Sequence, residues 1–100
     1  MSKPFVKYEG GLKLSLKNPK EAVAYLNAAL EDGSQEIFLL ALRDVAEARG
    51  ISRLAQESSL NRENLYRILS EKGNPQFSSL KALLDSMGFK LAVEIKGTAA

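Results

Sequence analysis

The sequence predicts a mainly α-helical protein that ends in a single β-strand, and three observations lead to this prediction. Apolar residues recur at helical spacing through the middle of the chain. Residues that begin or end helices separate these stretches. Near the carboxyl terminus the spacing changes to strict alternation, which is typical of a strand with one buried face.

Two well-marked helices come first. Asn18 is a suitable cap, Pro19 suits the first helical position, and the helix is expected to end at Gly33. Ser34 can cap the second helix, which is expected to end at Gly50. Because apolar residues cover most of the circumference of this second helix, we expect it to lie at the centre of the core.

Shorter helices follow. Residues 52–58 allow barely two helical turns, and Asn61 is expected to cap a further helix over residues 62–71. Leu60 and Leu65 have the spacing of a hydrophobic staple, which fixes the angle at which the chain enters a helix.

The last helix is predicted after a turn at residues 73–75. Ser78 or Ser79 can cap it, and it is expected to run through Met87 and to end at Gly88.

The two ends of the chain are expected to be extended. Residues 1–17 are predicted to form an extended or irregular arm, although a short helix is also compatible, and residues 18–100 form the domain. The terminal strand is expected to pair with a dimer partner or with Leu12–Leu16, because an exposed strand edge needs a partner. Its alternating apolar residues are Phe89, Leu91, Val93 and Ile95.

Composition favours a binding protein over an enzyme. The 100 residues include no Cys and no His, which removes disulfides, zinc–thiolate sites and the commonest general base and metal ligand. We therefore expect no enzymatic activity, no metal and no cofactor. The sequence has no export signal and no apolar stretch of membrane length, so we expect a cytoplasmic protein that does not contact membranes.

The formal net charge of +2 conceals alternating blocks of charge. Residues 1–17 carry four Lys against one Glu, and residues 18–48 carry two basic against six acidic side chains. Residues 49–81 carry six basic against three acidic side chains, and the remainder is balanced. Such blocks can make oppositely charged faces on a small domain, although solvated helices that differ in sign by chance are the alternative.

Residues 51–70 have the spacing of a helix-turn-helix, in which two short helices are joined by about three residues. The small side chain of Ala55 permits a close helix crossing, Leu60 fills the turn, and Leu65 and Ile68 hold the second helix on the body. The outward side chains of the second helix are long or hydrogen-bonding and are able to read base edges. A plain helical hairpin with a solvated face has the same spacing. The outward residues are Asn61, Arg62, Glu63, Tyr66, Arg67 and Ser70.

Four blocks of the chain carry a more specific resemblance, at residues 24–33, 44–50, 60–70 and 73–77. The third block contains the run RENLY from Arg62, and the fourth is GNPQF from Gly73. Over about residues 18–92 the chain resembles the HigA-like antitoxins, which are addiction-module antidote proteins of the lambda-repressor/Cro-like (Xre-type) helix-turn-helix family. Three residues depart from the family pattern, Arg43, Ser58 and Ser59.

This resemblance implies a lambda-repressor-like DNA-binding domain of about five helices. It also implies an antitoxin that neutralises a RelE/ParE-like toxin and, as a homodimer, represses its own operon at a palindromic operator in double-stranded DNA. A free-standing Xre-type repressor without a toxin partner is an alternative function. A protein-interaction module that does not bind DNA is another.

By analogy with the motif, the second helix of residues 51–70 lies in the major groove of DNA. We expect Arg62, Glu63 and Arg67 to reach base edges, because Arg pairs with guanine and Glu accepts from cytosine. Asn61 either reads a base or, as we favour, caps its helix. The residues expected at phosphates or at the rim of the interface are Arg53, Tyr66, Ser70, Lys72, Asn74 and Lys81.

Overall fold

Helices make up all the regular secondary structure in the computed structural model, which describes residues 14–70 and 72–97. Five helices follow a helical turn at residues 14–16. They are α1 (Pro19–Asp32), α2 (Gln35–Arg49), α3 (Ile51–Ser58), α4 (Arg62–Ile68) and α5 (Phe77–Ser86). The predicted mainly helical class is therefore confirmed. None of the helices in the described ranges has the length and apolar character needed to cross a membrane.

The predicted signals at both ends of α1 and α2 are confirmed. The Asn18 side chain accepts a hydrogen bond from the Lys20 amide at 2.9 Å, and the Ser34 hydroxyl accepts one from the Ile37 amide at 3.3 Å. Gly33 ends α1 in the left-handed conformation, at φ 88°. Gly50, at φ 101°, ends α2 and also accepts the first backbone hydrogen bond of α3, from Leu54. Glycine suits both positions because it has no Cβ to clash at positive φ.

Helix α2 contributes more buried residues to the core than any other helix, but it is not surrounded by other elements of the described chain as predicted, because its outer side is exposed. Helix α1 packs against α2, α3 packs against α2 and α4, and α5 packs against α3. All five helices contribute buried residues to one continuous core, in which α1 is represented by Ala22, Leu26 and Ala29. Eight large side chains among the described residues have almost no exposed surface. They are Leu16, Leu39, Leu42, Val45, Leu54, Leu65, Leu69 and Leu83.

The terminal strand predicted at Phe89–Ile95 is not found, because residues 89–95 have no regular secondary structure. Residues 14–70 and 72–97 contain no second strand, and a sheet needs at least two. Phe89 packs against the core, and Leu91 joins it in a groove lined by α1 and α5. The first two residues of the alternating pattern therefore contact helices, while Val93 and Ile95 are largely exposed.

In the described part of the amino-terminal arm, the short helix that the sequence also allows is found in place of extended chain. Residues 14–16 are helical, and Leu16 is buried in the core while Leu14 is exposed. The helical conformation of residues 14–16 is explained by the burial of Leu16 against the helices and not by the alternation of apolar residues in the sequence. The rest of the predicted arm, including Leu12, lies outside the described residues.

Two helix boundaries differ from those predicted by more than one residue, whereas α3 begins and α5 ends one residue earlier than predicted. Helix α5 begins at Phe77, with Gln76 as its cap, so neither Ser78 nor Ser79 is a cap. Gln76 is the last residue with extended backbone (ψ 153°), and it directly follows the turn at residues 73–75, so the helix begins before the serines. No side chain caps this end; the Gln76 carbonyl accepts the first helical bond.

Helix α4 ends at Ile68, although the prediction extends it to residue 71, which lies outside the described residues. Gly73 explains the early end. A Cβ at this glycine would lie 2.5 Å from the Ile68 carbonyl oxygen, so the chain turns back tightly against the last turn of α4. The Gln35 side-chain amide of α2 donates to the Gly73 carbonyl at 3.0 Å and fixes this loop to the core.

A hydrogen bond between the two longest helices joins α1 to α2. The Tyr25 hydroxyl donates to Oδ2 of Asp44 at 2.6 Å, at a half-buried position. Burial raises the pKa of the Tyr25 hydroxyl above its ordinary value, and the hydrogen bond and charge of Asp44 raise this pKa further. The protonated tyrosine is therefore the form that the folded state prefers.

Replacing Tyr25 with Phe removes this bond, and we expect a loss of about 1 kcal/mol of unfolding free energy at about pH 7. Because the folded-state pKa is raised above the unfolded value of about 10, this contribution is complete below about pH 10 and decreases at higher pH. Urea unfolding of the parent and of Tyr25→Phe across this range measures the difference. A difference that does not shrink in alkali would contradict the assignment.

Candidate nucleic-acid interface

The connection between α3 and α4 is three residues long, as the sequence predicts, and it holds the one strained residue. Ser59 lies at φ 66°, ψ 19°, and it is the only residue other than glycine at positive φ in the described ranges. Ser58 is buried, and its hydroxyl donates to the Leu54 carbonyl at 2.6 Å. This bond satisfies the hydroxyl, so a serine can replace the usual apolar residue at this position.

Two leucines anchor the inner side of α4. Leu65 and Leu69 are fully buried, and Ile68 packs partly buried against the same core. Leu60, just before the helix, and Ala55 on α3 pack there as well, as the helix-turn-helix spacing predicts. A seven-residue helix is too short to be stable alone, so these contacts fix both its existence and its orientation.

The outer side of α4 carries the predicted base-reading residues. Arg62, Glu63, Tyr66 and Arg67 are all exposed. Arg62 and Arg67 take part in none of the ion pairs found within residues 14–70 and 72–97. Their charges are therefore directed to solvent and are available to an anionic partner.

Asn61 acts as the cap of α4, which is the role we favour for it from the sequence. Its side-chain oxygen accepts a hydrogen bond from the Asn64 amide at 2.7 Å. The Asn64 side chain in turn accepts a hydrogen bond from the Arg67 guanidinium. Sequence reasoning missed Asn64, although its spacing of three residues from both partners places it beside each of them on the helix.

Four of the predicted contact residues lie around one concave surface at the end of α4. Arg67 and Ser70 border it on the helix side, and Lys72 and Asn74 border it on the loop side. The Ser70 hydroxyl donates to the Arg67 carbonyl at 3.0 Å. This surface therefore combines two cations with polar side chains next to the outer face of α4.

Two other predicted phosphate contacts are already paired with carboxylates. Arg53 Nε lies 3.1 Å from Oε2 of Glu57, and Lys81 Nζ lies 3.2 Å from Oδ2 of Asp85. Both pairs are exposed and join residues four apart on one helix, so they are weak and can exchange for a phosphate. Neither Arg53 nor Lys81 borders the concave surface.

Tyr66 meets α2 at the edge of the outer face. The Arg43 guanidinium carbon lies 6.0 Å from the centre of the Tyr66 ring, and Arg43 Nε also lies 3.3 Å from Oε2 of Glu47. Arg43 was noticed in the sequence only as a departure from a family pattern. This contact places the Tyr66 ring beside α2, at the edge of the outer face of α4.

The predicted dimer-pairing residues have different environments. Phe89 is half-buried, with its ring centre 5.4 Å from the Arg49 guanidinium carbon, so its side chain is committed to this chain. Leu91 lines the groove beside α1. Val93 and Ile95 are 98% and 80% exposed, so only the end of the segment projects away from the body.

Comparison with known protein families shows to which family the chain belongs. A family model described as "Probable addiction module antidote protein" matches residues 12–95, which is most of the chain. The chain belongs to this antidote family. An antidote of this kind implies a toxin as its partner. The prediction of an addiction-module antidote is therefore confirmed.

A relative from Haemophilus influenzae matches most of the antidote's length. An uncharacterized protein from that bacterium is 34% identical over 79 residues, covering 79% of the antidote and 81% of the relative. No solved structure matches the antidote.

We expect Ser59→Gly to stabilise the antidote by about 0.5–1 kcal/mol. Glycine removes the clash of a Cβ at positive φ, which costs roughly 1–2 kcal/mol, but it also gives the unfolded chain more freedom. Chemical denaturation measures the change. Ser59→Ala is the control, because it keeps the Cβ and should show no gain; equal stabilities of the two variants would refute the strain.

Proposed function

We propose that the antidote is a DNA-binding antitoxin in which α3 and α4 form a helix-turn-helix and α4 enters the major groove. The observation that carries this proposal is the division of α4 into two sides. Leu65, and Leu69 directly after the helix, are fully buried on one side, while Arg62, Glu63 and Arg67 are exposed on the other. A helix anchored in this way presents its polar side chains in a fixed orientation, as base reading requires.

Each outward residue has a distinct role in this proposal. Arg62 and Arg67 donate to the O6 and N7 acceptors of guanine, and Glu63 accepts from the N4 amino group of cytosine. Asn64 accepts a hydrogen bond from Arg67 and so restricts its guanidinium to one region of the outer face. Asn61 keeps the cap and contacts no base.

In this proposal, the concave surface at the end of α4 binds the DNA backbone. Lys72 and Asn74 contact a phosphate there, on a loop that Gln35 ties to α2. Ser70 and Tyr66 lie at the rim. Contacts to phosphate set the position of a protein on the duplex without specifying sequence, so this surface supplies affinity and the outer face of α4 supplies discrimination.

One helix-turn-helix reads few base pairs, so we propose a homodimer at a palindromic operator, with half-sites about one turn of DNA apart. The projecting end of the carboxyl-terminal segment supports contact between two copies, because an apolar side chain as exposed as Val93 gains free energy from burial. Binding at the promoter of its own operon would repress that operon.

The partner that this antitoxin neutralises is proposed to be a RelE/ParE-like toxin, and both events take place in the cytoplasm. We propose that the antidote acts by binding alone and not as an enzyme. Its lack of His and Cys supports this, since these residues supply most general bases and nucleophiles of small catalytic sites.

Arg67→Ala is expected to weaken binding to the antidote's own promoter by about 1–3 kcal/mol and to relax specificity at one base pair. The physical reason is the loss of two hydrogen bonds to one guanine. Fluorescence anisotropy with a promoter duplex, and with duplexes changed one base pair at a time, measures both effects.

Lys72→Ala is the matched control, since it also removes one positive charge beside the same surface. This substitution should weaken binding to all duplexes alike. It should also reduce the slope of affinity against salt concentration by the contribution of about one phosphate contact. If Arg67→Ala and Lys72→Ala had the same effect on every duplex, Arg67 would be a phosphate contact and α4 would not read bases.

A further inference from the structure

A second face of the antidote, formed by the outer sides of α1 and α2, is acidic and has exposed apolar residues at its centre. On each helix, residues spaced three or four apart lie on the same side and contribute a stripe of side chains to this face. We name it the α1–α2 face and define it by six residues, Glu21 and Asp32 of α1 and Ile37, Leu40, Asp44 and Glu47 of α2.

The two stripes form one continuous surface. Helices α1 and α2 pack together after a connection of only two residues, so they run in opposite directions. The bond from the Tyr25 hydroxyl to Asp44 joins the two stripes at 2.6 Å. Small buried residues of α2, Ala41 and Ala48, lie beside this edge and permit the close approach.

The carboxylates of this face are poorly neutralised. Among the described residues only Glu47 takes part in an ion pair, with Arg43 at 3.3 Å. Asp44 and Glu21 accept hydrogen bonds only from hydroxyl groups, those of Tyr25 and Ser15. The face therefore carries a net negative charge directed outward.

No helix of residues 14–70 or 72–97 covers the apolar residues of this face. Ile37 and Leu40 are 42% and 38% exposed, although the opposite side of α2 is fully buried. Large apolar residues surrounded by charge are characteristic of surfaces that bind another protein.

We propose that the toxin docks on the α1–α2 face, through a surface that places apolar side chains on Ile37 and Leu40 and basic side chains beside the carboxylates. This inference rests on the antitoxin action proposed above. DNA does not fit the face, because phosphates and carboxylates repel each other. A second copy does not fit it either, because a two-fold contact would bring the four carboxylates of one copy onto those of the other.

The toxin surface and the DNA surface are then separate but adjacent. Arg43 marks the boundary, since it lies beside Glu47 of the α1–α2 face and over the Tyr66 ring at the rim of α4. The antidote can hold DNA on α4 while the toxin occupies α1 and α2.

The test measures the affinity of the full-length antidote for the product of the neighbouring toxin gene, by isothermal titration calorimetry at two salt concentrations. Two variants alter the face at exposed positions, Asp32→Lys and the double substitution Ile37→Ser with Leu40→Ser. Glu31→Lys is the matched control, because it makes the same charge change at the adjacent exposed residue, outside the stripe.

We expect both face variants to weaken toxin binding by about tenfold or more and Glu31→Lys to change it by less than about threefold. Added salt should weaken binding to the parent more than binding to Asp32→Lys. Unchanged toxin affinity in Asp32→Lys, or no toxin binding by the parent, would overturn the proposal. So would a loss of self-association in the double variant, seen by sedimentation, with toxin binding intact.

Promoter binding by the same proteins separates this inference from the proposed function. Both face variants should bind the promoter duplex like the parent, because the α1–α2 face does not include α4. A parent that binds the toxin but not the duplex would refute DNA binding and leave the toxin surface in place.

Discussion

The burial of Leu65 and Leu69 is the constraint on which the functional surface depends. Helix α4 has only seven residues, and a helix of this length does not persist in water without tertiary contacts. Both leucines are fully buried in the core, next to Leu54 of α3. Since they fix the rotation of α4 about its axis, they also determine that the outer face, with Arg62 and Arg67, is directed to solvent.

The same core separates two surfaces of opposite charge. Helix α2 contributes buried residues along one side, and its other side carries Asp44 and Glu47. Helix α4 and the loop after it carry cations that form no ion pairs within the described part of the chain. The small net charge of +2 therefore conceals an acidic block at residues 18–48 and a basic one at residues 49–81, and the basic residues of 1–17 make the total positive. Two surfaces of opposite charge suit an antidote with two different partners.

Local signals in the sequence predicted the helices well, because their causes are local. Asn18, Ser34 and Asn61 cap their helices through their own side chains, and Gly33 supplies the left-handed residue that ends α1. The outward residues of α4 could be predicted from spacing alone. Asn61 shows the limit of prediction from spacing, which left base reading and helix capping both open. Its hydrogen bond with the Asn64 amide supports the capping role.

The errors arise where distant parts of the chain decide the structure. Helix α4 ends at Ile68 because Gly73 folds back onto it and is held by Gln35, which lies far away in sequence. The alternation at residues 89–95 resembles a strand, but Phe89 and Leu91 pack on helices instead. The concave surface beside Arg67 depends on the same loop, so the sequence predicted its members without predicting that they meet.

A titration of the isotopically labelled antidote with its own promoter duplex, followed by amide NMR, tests the central claim most directly. If α4 reads DNA, the largest changes in chemical shift fall on residues 61–70 and 72–74, and those of the α1–α2 face remain small. Changes centred on the α1–α2 face, or no saturable change with any promoter duplex, would contradict the account.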